Sequence, residues 1–251
     1  MRLSLSTAVV AGLLLVIPAH AETADSCPVA DYLLATDYSL PKVTAAFKAK
    51  QPINILVIGS KSSSLSGPDG VASSYPARLE AALRSKLPGT EISVTTELRN
   101  KETAAEVAND FEKIAGVHKP TLVVWQTGTV DAMRSLDPDD FRAGLDDGIA
   151  TLQKEGADIV LMNLQYSPRV ETMLSANPYI DTIRVVAQQR SIPLFDRFSI
   201  MRAWSESGAF DLFGASHGLG MAKRVHDCLG HALAKFVVDA AHIGVTGPGM
   251  R

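Results

Sequence analysis

The sequence has no basic block, no internal repeat and no apolar run long enough to span a membrane. It carries 24 Lys and Arg against 27 Asp and Glu, a formal charge of -3. The cations are not gathered in any one stretch, so nothing favours nucleic acid electrostatically. The apolar run from Ala8 to Ile17 falls short of the ~18 residues a membrane span needs. No metal site is expected either. His226 and His231 are five positions apart and cannot share a helix face. They are read as surface or partly packed residues, Trp125 and Trp204 as core aromatics. No cofactor is implied.

What is present begins with a leader. Arg2, the apolar run, Pro18 and then Ala19-His20-Ala21 have the layout of a cleavable secretory signal, 1–21. Mature protein is expected from Glu22, in the periplasm or outside the cell. No Cys comes directly after the run, which argues against lipid attachment there. Both cysteines, Cys27 and Cys228, fall in the mature part, and an oxidising compartment makes a disulfide between them the expectation. The alternative is two unpaired buried thiols.

Hydrophobic residues make up 46% of the chain, enough apolar material for a full core. Ile53 to Ile58 is a continuous apolar run ending in Gly59, as in a strand buried on both faces. A Ser/Gly-rich segment, 60–74, reads as a loop. Tyr75, Leu79, Leu83 and Leu87 then recur at helical spacing up to Pro88-Gly89. The alternation continues: strand Ile92 to Leu98, helix Ala104 to Ile114, strand Thr121 to Trp125. Asp137 and Pro138 start a helix that ends at Gly156. Strand Ile159 to Met162, helix Tyr179 to Gln189, strand Ile192 to Phe195 and helix Met221 to Val238 complete the series. This predicts an α/β fold, a three-layer α/β/α sandwich on a five-stranded, mostly parallel sheet. One domain, 22–239, is expected, with a frayed tail over 240–251.

Ligands of such sheets bind at the carboxyl ends of the strands. Those segments are Gly59-Ser60-Lys61-Ser62-Ser63-Ser64, Leu98-Arg99-Asn100, Gln126-Thr127-Gly128-Thr129-Val130-Asp131, Asn163-Leu164-Gln165-Tyr166 and Ser216-His217-Gly218-Leu219-Gly220-Met221. With Ser74-Tyr75-Pro76-Ala77-Arg78-Leu79 and Gln165-Tyr166-Ser167-Pro168-Arg169, they make the chain resemble the SGNH, or GDSL-like, hydrolases from about Cys27 to Val238. The fold implied is the SGNH-hydrolase, flavodoxin-like sandwich. The site implied is a nucleophilic Ser, a Gly and an Asn completing an oxyanion hole, and a His with an orienting Asp.

The matching positions depart from that pattern. Ungapped, Lys61 stands at the nucleophile, Leu98 or Arg99 at the Gly, Val130 at the Asn and Gly220 at the His. Valine's side chain offers no donor and glycine cannot move a proton. A catalytically degenerate member is therefore the expected reading. Its cleft, with Ser60, Lys61, Ser62, Arg99, Gln126, Asp131, Gln165, Tyr166 and His217 as candidate contacts, would bind a small anionic or carbohydrate-type ligand. Two other readings stay open. One is an ester hydrolase with a displaced Ser62, His217 and Asp211, or with Lys61 as base for a neighbouring Ser. The other is a periplasmic interaction subunit that works through another surface.

Overall fold

The computed structural model describes residues 27–212 and 218–244, apart from the side chain of Val170. The expected leader, His217 and positions 245–251 lie outside the described residues. In chain order the elements are α1 (Asp31–Leu34), α2 (Pro41–Lys48), β1 (Ile53–Gly59), α3 (Tyr75–Lys86), β2 (Ile92–Leu98), α4 (Ala104–Ala108), α5 (Phe111–His118) and β3 (Leu122–Gln126). Then come α6 (Thr129–Met133), α7 (Pro138–Lys154), β4 (Asp158–Met162), α8 (Pro168–Met173), α9 (Asn177–Gln189), β5 (Leu194–Phe195), α10 (Arg197–Glu206) and α11 (Gly218–Ala240).

The five strands form one parallel sheet in the order β2-β1-β3-β4-β5. β3 and β4 are buried at every position and β1 at all but Asn54, as strands covered on both faces must be. β2 is the exposed edge, with only Ile92 fully buried. The chain leaves β1 for β2 in one direction and returns past β1 to β3 in the other. Because crossovers are right-handed, the two connections lie on opposite faces. Accordingly α3 packs against α11, while α4, α5 and α9 pack against α7. The order reverses at β1, which opens a crevice at the carboxyl ends of β1 and β3.

The N-terminal arm is tied down twice. Cys27 and Cys228 form a disulfide onto α11, as expected. Beside it, the Trp204 Nε1–H donates to the carbonyl of Pro28 at 2.7 Å. Trp125 and Trp204 are core residues, exposed 1% and 2%.

Several expectations need correction. The helix expected over Ala104 to Ile114 is two short helices. Thr103 and Glu106 close a capping box on α4, and Asp110 restarts the chain as α5. The final helix begins earlier than expected, so Gly220 sits in its first turn. The tail is packed at its start: Ala241 is fully buried and Ile243 is 6% exposed. There the Thr44 hydroxyl donates to the carbonyl of Ala241 at 2.8 Å. The small side chains of Ala240 and Ala241 let the tail lie close against α2, which a count of apolar residues misses.

Candidate functional site

The Ser-rich stretch after β1 is an ordered part of the crevice rather than a plain loop. Lys61–Ser63 make one turn of 3-10 helix, and Ser63 is fully buried. Its hydroxyl bonds Gln126 Oε1 at the end of β3 and lies 3.0 Å from the Tyr75 hydroxyl. Gly59 permits this fold-back. A Cβ there would lie 2.2 Å from Ser63 Oγ and 3.0 Å from Gln126 Oε1, the first closer than real side chains come. Ser62, half-buried, donates to Gln126 Oε1 at 3.3 Å. Gln126 Nε2 donates in turn to Ser60 Oγ at 3.4 Å. The contacts are long for hydrogen bonds to hydroxyls, but together they hold Ser60, Ser62 and Ser63 around one amide.

Behind Ser62 lies a residue outside the segments expected to form the site. Arg197 opens α10 just past β5 and is 1% exposed. Its Nη1 donates to Ser62 Oγ at 3.4 Å, and its Nη2 donates to the Ser62 carbonyl and to Gln165 Oε1, each at 3.2 Å. The guanidinium sits over the Tyr75 ring, 5.6 Å from its centroid. Burial lowers its pKa to about 10, so it stays charged at neutral pH.

His226 is the second addition, and it corrects the surface or partly packed reading. It is 6% exposed, and its Nδ1 accepts the backbone N–H of Tyr75 at 3.0 Å. That N–H is one of the unpaired donors at the start of α3, and Ser74 makes no side-chain cap there. Burial, reinforced by the charge of Arg197, pushes the His226 pKa down to about 3. A sequence signal existed: His226, Leu229, Leu233 and Phe236 fall at helical spacing on the buried stripe of α11. His231, by contrast, is exposed.

These residues line two adjoining chambers. The outer one, about 1230 Å³, has Lys61, Lys101 and Arg134 among its lining, with Leu65, Val130 and Met133 as apolar surface. The inner one, so named for the buried Arg197 in its wall, is about 400 Å³ and open to solvent, with Asp211, Tyr166 and Ser167 beside apolar Met201, Leu212, Met221 and Val225. Gln165, Ala222 and His226 border both.

Of the other expected positions, Lys61 is exposed and reaches the outer chamber. Val130 is half-buried in the first turn of α6, behind Gly128, whose φ of 91° suits glycine. Gly220 is exposed, with nothing within 4 Å of where a Cβ would stand. Leu98 is 39% exposed at the end of β2. Tyr166 is buried against Phe198 and lines the inner chamber. Two expected contacts, Arg99 and Asp131, line a small pocket at the strand ends with Ser60 and Gln126, and each is engaged by protein groups. Arg99 is paired with Glu102 at 3.1 Å and with Asp110, so its charge is neutralised in place. Asp131 is 1% exposed and accepts the N–H of Ala104 at 3.0 Å, which makes it a support for α4. Burial raises its pKa.

A parallel five-stranded sandwich with a serine turn after β1 and a polar cleft over β1 and β3 defines the SGNH-type hydrolase class. The family model of the non-GDSL lipase-like family matches residues 26–243, and the chain belongs to that family. Solved structures agree on the fold. TesA is 20% identical with a TM-score of 0.57, over 73% of this chain and 99% of that one. The psychrotrophic esterase EstA from Pseudoalteromonas sp., inhibited by monoethylphosphonate, is 15% identical with a TM-score of 0.57, over 74% and 97%. A catalytic mutant of Axe2, an acetylxylan esterase from Geobacillus stearothermophilus, is 18% identical with a TM-score of 0.58, over 75% and 94%. At these identities the likeness is one of fold. No curated protein matches the sequence.

Proposed function

We propose that this chain is a periplasmic or secreted binding protein on an esterase-type scaffold, one that holds a small anionic or carbohydrate-type ligand in the strand-end cleft without hydrolysing it. The observation that carries the reading is the setting of Ser62. A serine nucleophile needs a base to take its proton. Among the described residues, the Ser62 hydroxyl instead faces the amide oxygen of Gln126 and the guanidinium of Arg197. An amide is no base, and a cation beside the hydroxyl offers a donor rather than an acceptor.

The rest of the cleft supports the same reading. Gly220 carries no side chain where the family's His would stand, and Val130 supplies no side-chain donor for an oxyanion. His226, the histidine of the cleft among the described residues, has its one unprotonated nitrogen occupied by Tyr75. What remains is a set of donors and cations around a cleft, which suits recognition of negative charge. The disulfide fits an oxidising compartment. Turnover of p-nitrophenyl acetate and butyrate by the purified chain, alongside Ser62→Ala and His217→Ala, tests the reading. No turnover above buffer is expected from any of the three.

A further inference from the structure

Among the described residues, Arg197 is a buried cation without a balancing acid. Of its five N–H groups, three reach acceptors, all of them neutral: Ser62 Oγ, the Ser62 carbonyl and Gln165 Oε1. Its Nε has no partner, and no carboxylate pairs with it among the described residues. A desolvated charge left uncompensated is costly, and an unpartnered buried donor adds to that cost. The arrangement is explained if a ligand supplies the missing negative charge.

His226 is the matching neutral donor. A backbone N–H can only donate, so the Nδ1 that accepts it from Tyr75 carries no proton. The neutral ring must then hold its proton at Nε2. Nε2 has no partner of its own among the described residues, and His226 borders both chambers. Arg197 and His226 both line the inner chamber and both pack on the Tyr75 ring, at 5.6 and 5.8 Å from its centroid.

The inner chamber limits what that ligand is. Four apolar side chains, Met201, Leu212, Met221 and Val225, share its walls with Gln165, Tyr166 and Ser167. Asp211 also lines it and has an interaction of its own. One cation, one neutral donor and four neighbouring apolar side chains fit a single negative charge on an apolar body.

We propose that Arg197 and His226 form a two-donor seat for the carboxylate of an amphiphilic organic acid, whose apolar body lies in the inner chamber. The inference rests on the reading that the cleft binds without cleaving. Calorimetric titration of the full mature chain with octanoate tests it. Saturable binding is expected, with octanol (no charge) and glucuronate (no apolar body) each at least about tenfold weaker. Lengthening from hexanoate should tighten binding by about fourfold per methylene.

Two substitutions separate the seat from its support. His226→Asn keeps an acceptor near the Nδ1 position for Tyr75 but removes the Nε2 donor. It is expected to melt close to the parent while binding octanoate about tenfold more weakly. His226→Gln keeps an N–H near Nε2 and loses the acceptor, so it should melt lower yet bind more tightly than the Asn variant. Equal binding of octanoate and octanol, no octanoate binding, or equal losses in both variants would overturn the seat. p-Nitrophenyl octanoate in the same samples isolates the underlying reading: turnover overturns that reading, while the seat still stands or falls on octanoate against octanol.

Discussion

The backbone N–H of Tyr75 points at Nδ1 of His226, 3.0 Å away, and this one bond joins the start of α3 to the middle of α11. It satisfies an orphan helix donor, fixes the tautomer of a buried imidazole, and places that imidazole beside the guanidinium of Arg197. A histidine held in this way is a donor to the cleft, not a base.

The first consequence is a pH dependence of stability. The folded pKa of His226 is lowered to about 3 from an ordinary 6.5, so the unfolded chain binds the proton more readily. The neutral form's contribution is fully present above about pH 6.5 and is lost as pH falls towards 3. The loss amounts to about 2 kcal/mol between pH 7 and pH 5. Asp131 and Asp158, whose pKa values burial raises, act in the opposite sense, so the histidine's share must be isolated. In urea titrations His226→Asn should show a shallower decline than the parent over that range. Parallel declines would show that His226 does not carry it.

Arg197 gives a second prediction, in which stability and function separate. A buried cation without an acid is retained at a cost, and an apolar side chain of similar length removes the charge. Arg197→Met is expected to raise stability by about 1–2 kcal/mol, read as a higher denaturation midpoint, while anion binding is lost. A marked fall in the midpoint would mean that Arg197 serves the fold through Ser62 and Gln165.

Gly59 tests the packing of the serine turn. A methyl group there meets Ser63 Oγ at 2.2 Å, and Ser63 is itself bonded to Gln126 and Tyr75. Gly59→Ala should cost about 1–3 kcal/mol, and Gly59→Ala with Ser63→Gly should recover most of it. No cost in the single variant would contradict the fold-back of residues 60–63.

The disulfide joins residues 201 positions apart. Replacing Cys27 and Cys228 together by serine should lower stability by about 2–5 kcal/mol. Reduction of the parent should reproduce the shift and leave the double variant unchanged.

Much of the fold is legible in the sequence because parallel strands buried on both faces leave continuous apolar runs. β1, β3 and β4 show themselves that way, and α7 through Asp137 and Pro138. β5 pairs through only Leu194 and Phe195, too short a strand to mark α10 and Arg197 beyond it as part of the site. Set beside His231 alone, His226 reads as a surface or partly packed residue. Its place in a stripe with Leu229 and Leu233 marks it as buried. Arg99 and Asp131 are expected in the cleft because they come after strands. Position after a strand says nothing of the acid or the helix start that engages the side chain, and both are engaged.

The reading of binding without cleavage rests on Ser62 having no base among the described residues. Turnover of p-nitrophenyl butyrate by the purified mature chain and by Ser62→Ala is the direct measurement. No release above the buffer rate is predicted for either protein. Release by the parent that Ser62→Ala abolishes would contradict the central claim.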